Sequence, residues 1–554
     1  MTKKLTQWGL GALLCASLLS SCKGTASGDQ ADLLVYNATV YTVNQDFAKA
    51  QAIAVKDGKI VAVGTNDELK AKYKAKEEVD AQGKPLYPGF IDAHAHFVGY
   101  AANQREADLV GTTSFSEVVQ RLQKHRQEYP SAVWLTGRGW DQNDWDIKQF
   151  PTKDTLDKLF PGTPVIIERV DGHASLANQK ALDLAGVTAQ TPQVTGGKIE
   201  IKDGKLTGIL VDRAADLVIS KIPALTSGEY TQVLKEAEQN LFAVGLTSVV
   251  DAGLPKSSVD LIDSLQKKNE LKIRVYAMLS PTPENKAHYL KNGPYTTERL
   301  NVRSFKVYGD GALGSRGACL LHPYADKKDE TGFLLLTVQE YKDLAAEIFK
   351  SDFQMNTHAI GDSANRTILQ IYGNLLKGKN DRRWRIEHAQ VVNPADMPLF
   401  GKYSILPSVQ PTHATSDMYW AGDRLGMDRL KHAYAFKALM QQNNMIPLGS
   451  DFPVEHINPL YGFHAAVARQ DAKNYPKGGF QMDNALTREE ALRGTTIWAA
   501  YANFEEKQKG SLEVGKVADF VILEQDIMTA KPEALRDVKV LSTYVNGEKV
   551  YGKK

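Results

Sequence analysis

The segment Asp92-Ala93-His94-Ala95-His96 sets two imidazoles two residues apart. In an extended strand such residues share a face, so both rings can aim at one ion. Four other short apolar runs carry or end in comparable groups: Lys306 before Val307-Tyr308, His358 in Asn356-Thr357-His358, Glu387-His388, and Gly449-Ser450-Asp451. Imidazole and carboxylate are the ligand types for zinc and similar divalent ions, and catalytic sites leave one position open for water. Taken singly, a strand-end histidine is more often a hydrogen-bonded core residue. Taken together, the pattern points to a metal. Lys306 is the odd member, because an ammonium repels a cation. It fits if its amine reacts with CO2 to form a carbamate, an anionic bridge between two metals. The other reading is an uncharged or outward lysine beside a single ion.

These residues need elements to bring them together. Eight apolar runs read as buried strands: Phe90–His94, Thr247–Asp251, Ile273–Met278, Ser304–Tyr308, Gln354–His358, Trp384–His388, Ile405–Gln410 and Ile446–Asp451. Separated by helical stretches, they give the pattern of a (β/α)8 TIM barrel, whose functional groups sit at the C-terminal strand ends. About 150 residues separate the first strand from the second, far more than one βα step requires. An inserted subdomain at about 100–225 is therefore predicted, with a hairpin at Lys202-Asp203-Gly204-Lys205. Both ends of the chain carry short alternating runs and hairpin turns, Lys56-Asp57-Gly58-Lys59 and Asn546-Gly547. One small β-sandwich formed from both termini is the expected outcome, and the fold class is α/β.

The first residues read differently. Lys3 and Lys4 precede an apolar run from Trp8 to Leu19, too short to span a bilayer and suited to a secretory signal. It ends in Leu19-Ser20-Ser21-Cys22, which looks like a bacterial lipobox with Cys22 as the lipidated residue. The expected organisation is a signal peptide at 1–21, a tether at 22–31, sandwich at 32–87, barrel with insertion at 88–505, and sandwich again at 506–554. The expected location is the bacterial cell envelope, with membrane contact only through the lipid anchor. The 67 Lys+Arg against 65 Asp+Glu among 554 residues provide no whole-surface attraction to nucleic acid. The three cysteines, Cys15, Cys22 and Cys319, exclude a disulfide-stapled scaffold.

The order His-x-His, Lys, His, His, Asp resembles the amidohydrolase superfamily. Tyr87 to His96 (YPGFIDAHAH) is similar to its first-strand signature. The segments KVYGDGALG (306–314), HAIGD (358–362), RIEHAQ (385–390), SVQPTH (408–413) and GSDFPVE (449–455) resemble the amidohydrolase-3 branch, which includes N-substituted formamide deformylase-like enzymes. SLEVGKVADFVIL (511–523) resembles that branch's C-terminal sandwich. The resemblance implies two divalent metal ions, zinc being the expected element. His94, His96 and Asp451 would bind one ion, His358 and His388 the other, and carboxylated Lys306 would bridge them. It further implies hydrolysis of a non-peptide C–N bond in a small amide-type substrate, with Asp451 relaying the proton.

Other residues are assigned more loosely. His173 is the leading non-metal catalytic candidate, with Asn178, Gln410 and His413 as candidate substrate contacts. Asp310 reads as a ligand-supporting residue or a turn cap. Glu387 reads as a partner of a ligand histidine or as an outward salt bridge. Trp140, Asp141 and Trp145 could form a lid, though plain packing is favoured. Rival functions on the same barrel are a cyclic-amide hydrolase, a deaminase, or a non-catalytic substrate-binding lipoprotein. A homodimer is left open.

Overall fold

The computed structural model describes residues 28–130, 132–223 and 225–552. The segment expected to be a signal peptide, and Cys22, lie outside the described residues. Seven parallel strands form the central sheet: β1 (Phe90–Ala95), β2 (Leu246–Leu254), β3 (Arg274–Leu279), β4 (Leu300–Tyr308), β5 (Gln354–Ala359), β6 (Arg385–His388) and β7 (Leu406–Ser408). They pair in chain order, β1 to β7. β1, β3 and β5 are buried along their whole length, as strands covered on both faces must be.

The eighth expected strand, Ile446–Asp451, is not a regular strand. It makes one isolated parallel bridge, Val409 to Leu448. It nevertheless closes the barrel. Val409 N donates to Pro447 O at 3.2 Å and Gly449 N to Val409 O at 3.0 Å; on the other side, Ala93 N donates to Leu448 O at 3.1 Å and Asp451 N to His94 O at 2.7 Å. Two local features break the ladder. Asp451 adopts a left-handed φ of 62°, and Ser450 N and Oγ donate to the Asp92 carboxylate at 3.0 and 2.6 Å instead of to a strand.

Between β1 and β2 lies an inserted six-stranded sheet. Its order is Gly197–Lys202, Lys205–Asp212, Ala174–Ala177, Val165–Arg169, Leu135–Trp140 and Ala107–Asp108. It has its own apolar clusters, one around Trp140, Trp145, Ile167 and Leu176, another around Leu182, Val187 and Leu210. Asp203 and Gly204 both take positive φ, the geometry of a two-residue hairpin turn.

The two ends of the chain build a sandwich. One sheet runs Lys59–Gly64, Ala52–Lys56, Asp29–Tyr36 and Tyr73–Asp80. The other runs Glu548–Gly552, Val540–Val545, Phe520–Leu523, Pro85–Pro88, Thr39–Tyr41 and Lys49–Ala50. The termini meet where Phe520 pairs with Pro88 and Val521 with Tyr87. Leu33, Val35, Val55, Leu86, Phe520 and Ile522 share the core between the sheets. The first strand begins at Asp29, so the tether expected to reach residue 31 ends earlier: Ala31 is already buried and pairs with Ala75.

Candidate active site

The C-terminal ends of the barrel strands converge as their residue types require. β1 carries His94 next to its last residue, with His96 just beyond the strand; β4 carries Lys306, β5 His358, and β6 His388; the closing segment supplies Asp451. Single ligand atoms of His94, His388 and Asp451 all lie within 4.8 Å of one another. His96 Nε2 is 3.2 Å and His94 Nε2 3.4 Å from Asp451 Oδ1. Lys306 Nζ is 3.0 Å from His94 Nε2. The His358 and His388 rings are 4.6 Å apart between centroids. The tight group thus crosses the two expected ligand sets. His388 sits with His94 and Asp451, and Gln410 holds its ring at Nδ1.

Hydrogen bonds fix the ring nitrogens. His94 Nδ1 donates to Glu387 Oε2 at 2.5 Å, His96 Nδ1 to the Ala252 carbonyl at 3.0 Å, and His388 Nδ1 to Gln410 Oε1 at 2.7 Å. These oxygens only accept, so each proton sits on Nδ1 and each lone pair on Nε2. The His94 lone pair then accepts from Lys306 Nζ, while that of His96 lies beside the Asp451 carboxylate, where a cation would relieve the repulsion. Asp451 Oδ1 is buried with no hydrogen-bond partner, while His358 Nε2, also without one, lies 3.6 Å from Asp310 Oδ1. An orphaned carboxylate oxygen set among imidazoles fits a divalent metal held by these residues.

Protonation agrees. Burial, with Lys306 adding to it, pushes the His94 imidazole down to about 4, and burial drives His358 and His388 well below the usual imidazole range. Burial alone would raise the Asp451 carboxyl, but positive charge facing it outweighs that and holds it well below the usual carboxylate range. Neutral imidazoles and an ionised carboxylate are the forms that bind metal. Burial lowers Lys306 to about 8, which makes its neutral amine accessible.

Two chambers of about 520 and 580 Å3 meet at this cluster, sharing His173, His358, His388 and Asp451 as walls. His413 lines the first, with Nε2 4.0 Å from Asp451 Oδ2. His173 comes from the insertion; its ring centroid is 5.2 Å from that of His358, and Nδ1 donates to Asp212 Oδ1 at 2.6 Å. Burial lowers the His173 ring, but Asp212 more than compensates and carries it up to about 9.

Two assignments change. Asn178 is fully buried away from both chambers. Its Oδ1 accepts from Val165 N and Ala181 N, and its Nδ2 donates to the Phe160 and Thr163 carbonyls, so it caps a helix. Gln410 lines neither chamber; it orients His388 instead. Of the two readings of Glu387, the inward one holds, with Arg385 and His94 as its partners. Asp310 accepts from Cys319 N, Ile360 N and Gly361 N, so it clamps the loop behind His358. Trp140 and Trp145 are core residues and form no lid, while Asp141 pairs with Arg169 at the chamber wall. Sequence reasoning missed Asp212, although it also ends a strand in a carboxylate, and it missed Asp92 as the buried anchor of the closing segment.

A parallel barrel with this cluster at its mouth defines a metal-dependent hydrolase. The profile of the Amidohydrolase family matches residues 77–551. The chain belongs to that family. Protein LONG AFTER FAR-RED 3 of Arabidopsis thaliana is 33% identical over 95% of this chain and 92% of its own. N-substituted formamide deformylase of Arthrobacter pascens is 28% identical over 93% of this chain and 97% of its own. The crystal structure of an uncharacterised metal-dependent hydrolase from Pyrococcus horikoshii superposes with a TM-score of 0.73 at 27% identity, covering 90% of this chain and 99% of the other.

Proposed function

We propose that this protein hydrolyses a non-peptide, amide-type C–N bond of a small molecule at a two-metal centre. The observation that carries the reading is the pair of imidazole nitrogens, His94 Nε2 and His96 Nε2, at 3.4 and 3.2 Å from Asp451 Oδ1, with Lys306 Nζ 3.0 Å from His94 Nε2. The similarity to an N-substituted formamide deformylase supports amides as the bond type. His94, His96, His358, His388 and Asp451 would hold divalent ions, zinc being the expected element, and Lys306 would bridge them as a carbamate. The neutral Lys306 amine forms that carbamate by adding to CO2: a C–N bond forms, one proton leaves, and a cationic neighbour becomes an anionic ligand.

When bound, the ions supply Lewis acidity, which acidifies water and polarises a carbonyl. The chain's own groups do the rest. Asp451 accepts the proton of the attacking water at its carboxylate and passes it to the leaving nitrogen, a short relay. Glu387, the Ala252 carbonyl and Gln410 keep His94, His96 and His388 in one tautomer, so the lone pairs stay aimed inward. His173 presents its ring to the space shared by the chambers, where substrate oxygen can take a hydrogen bond. The two chambers suit the two sides of a cleaved amide.

We further infer lipid anchoring to the cell envelope through Cys22, and a small molecule as the only partner the reaction needs. The functional test is a panel of N-formyl amines, linear amides and lactams assayed with metal-loaded protein. Chelator-sensitive release of amine from at least one amide is expected. Conversion of ring amidines or aromatic amines alone, with no amide turned over, favours the deaminase reading.

A further inference from the structure

We propose that Asp212 of the insertion is a positioning residue, which locks His173 so that its Nε2 donates to the substrate carbonyl oxygen as charge develops there. The inference rests on the amide-hydrolase reading and goes beyond it by making the inserted subdomain part of the catalytic apparatus.

The geometry is over-determined. His173 Nδ1 donates to Asp212 Oδ1 at 2.6 Å. Asp212 N donates back to the His173 carbonyl at 3.0 Å, so strand pairing ties the two backbones together. His173 N donates to Asp171 Oδ1 at 3.0 Å, and the other oxygen of Asp171 is gripped by the buried Arg169. Ring, amide and carbonyl of His173 are each fixed. An oxyanion donor needs this kind of preorganisation, because it must not reorganise when the charge appears.

Asp212 has little other use. Its side chain is 3% exposed, and Oδ2 is buried without a hydrogen-bond partner. A buried carboxylate held by one imidazole is a costly way to stabilise a fold. Space is also cleared for it: a Cβ on Gly311 or Gly317 would meet Asp212 Oδ2 at 2.7 or 2.8 Å. Gly311 lies in the loop after β4, five residues from Lys306, so the barrel loop that follows the bridging lysine is shaped around a carboxylate from the insertion. With Nδ1 held by Asp212, Nε2 is the free nitrogen of a ring that lines both chambers beside His358.

Asp212→Asn and His173→Gln test the coupling, each checked for unchanged metal content, with an N-formyl amine such as N-benzylformamide as the assayed probe. The expected result is a fall in kcat of about 10²-fold for each, with KM nearly constant. The double variant should be no slower than His173→Gln alone, and Asp212→Glu should recover part of the rate. Additive losses, or a raised KM with kcat intact, overturn the proposal. A second readout needs no turnover. Proton NMR of the wild type should show a far-downfield imidazole N–H that both single variants lose. If the wild type hydrolyses none of the amides, the reaction assigned above fails by itself. The NMR signal then decides the coupling: its loss in both variants supports it, and its persistence in Asp212→Asn overturns it.

Discussion

Three of the proposed ligand histidines would bind through one nitrogen, because the other is already committed. Glu387, the Ala252 carbonyl and Gln410 do this for His94, His96 and His388. Such supporting contacts are worth about 10–100-fold in metal affinity. Gln410→Ala should therefore weaken metal binding within that range while the fold persists, measured by competition with a chromophoric chelator. Asp451→Asn should lower kcat by roughly 10²–10⁴-fold without unfolding, since the amide cannot accept the proton; unimpaired turnover removes its relay role. Lys306→Ala should be inactive and partly rescued by a short carboxylic acid, while full activity without rescue discards the carbamate. The convergence of His94, His388 and Asp451 was legible in the sequence because metal chemistry admits few residue types and strand ends fix where they fall. The supporting contacts were less legible. Gln410 reads as a substrate contact until its side chain is seen on His388, and Asn178 looks functional beside His173 until its four bonds to backbone are seen.

Seven strands of the barrel are visible as apolar runs ending in polar residues, because buried parallel strands carry apolar side chains on both faces. The eighth, 446–451, shows the limit of that signal. Its sequence reads as a strand, but its backbone is diverted to Asp92 and turned at Asp451 into a conformation that no periodicity reports. Closure then depends on close approach. A Cβ at Gly449 would stand 2.5 Å from His94 N and 2.9 Å from His94 O. Gly449→Ala is expected to push the segment off β1, costing about 1–3 kcal/mol and displacing Asp451 from His94. Thermal unfolding and metal content should fall together. An unchanged melting temperature with full metal content contradicts this account of closure. The hairpin turns were the easiest elements to read, since Asp57-Gly58, Asp203-Gly204 and Asn546-Gly547 all take the positive φ values that two-residue turns demand.

On the scale of the whole molecule, a barrel is wedged between two additions with different tasks. The sandwich ties the chain's ends together: Phe520 and Ile522 from one end pack with Leu33, Val35 and Leu86 from the other, each worth about 1.5–3 kcal/mol when fully buried. Removing residues 512–554 should leave that face bare and the protein aggregated, as light scattering would show; a monodisperse, active truncation denies the sandwich this role. The insertion, by contrast, sends Asp171, His173 and Asp212 to the barrel mouth. Its length and strands were legible from the gap between β1 and β2, but its docking was not, because no local pattern states which loop meets which. The barrel mouth is the proposed seat of a two-metal centre. Elemental analysis of the purified protein, paired with formamide hydrolysis before and after chelation, tests it most directly. About two equivalents of divalent metal per chain are predicted, with hydrolysis lost on chelation and restored on readdition. Full hydrolysis by metal-free protein, or one equivalent at saturation, contradicts it.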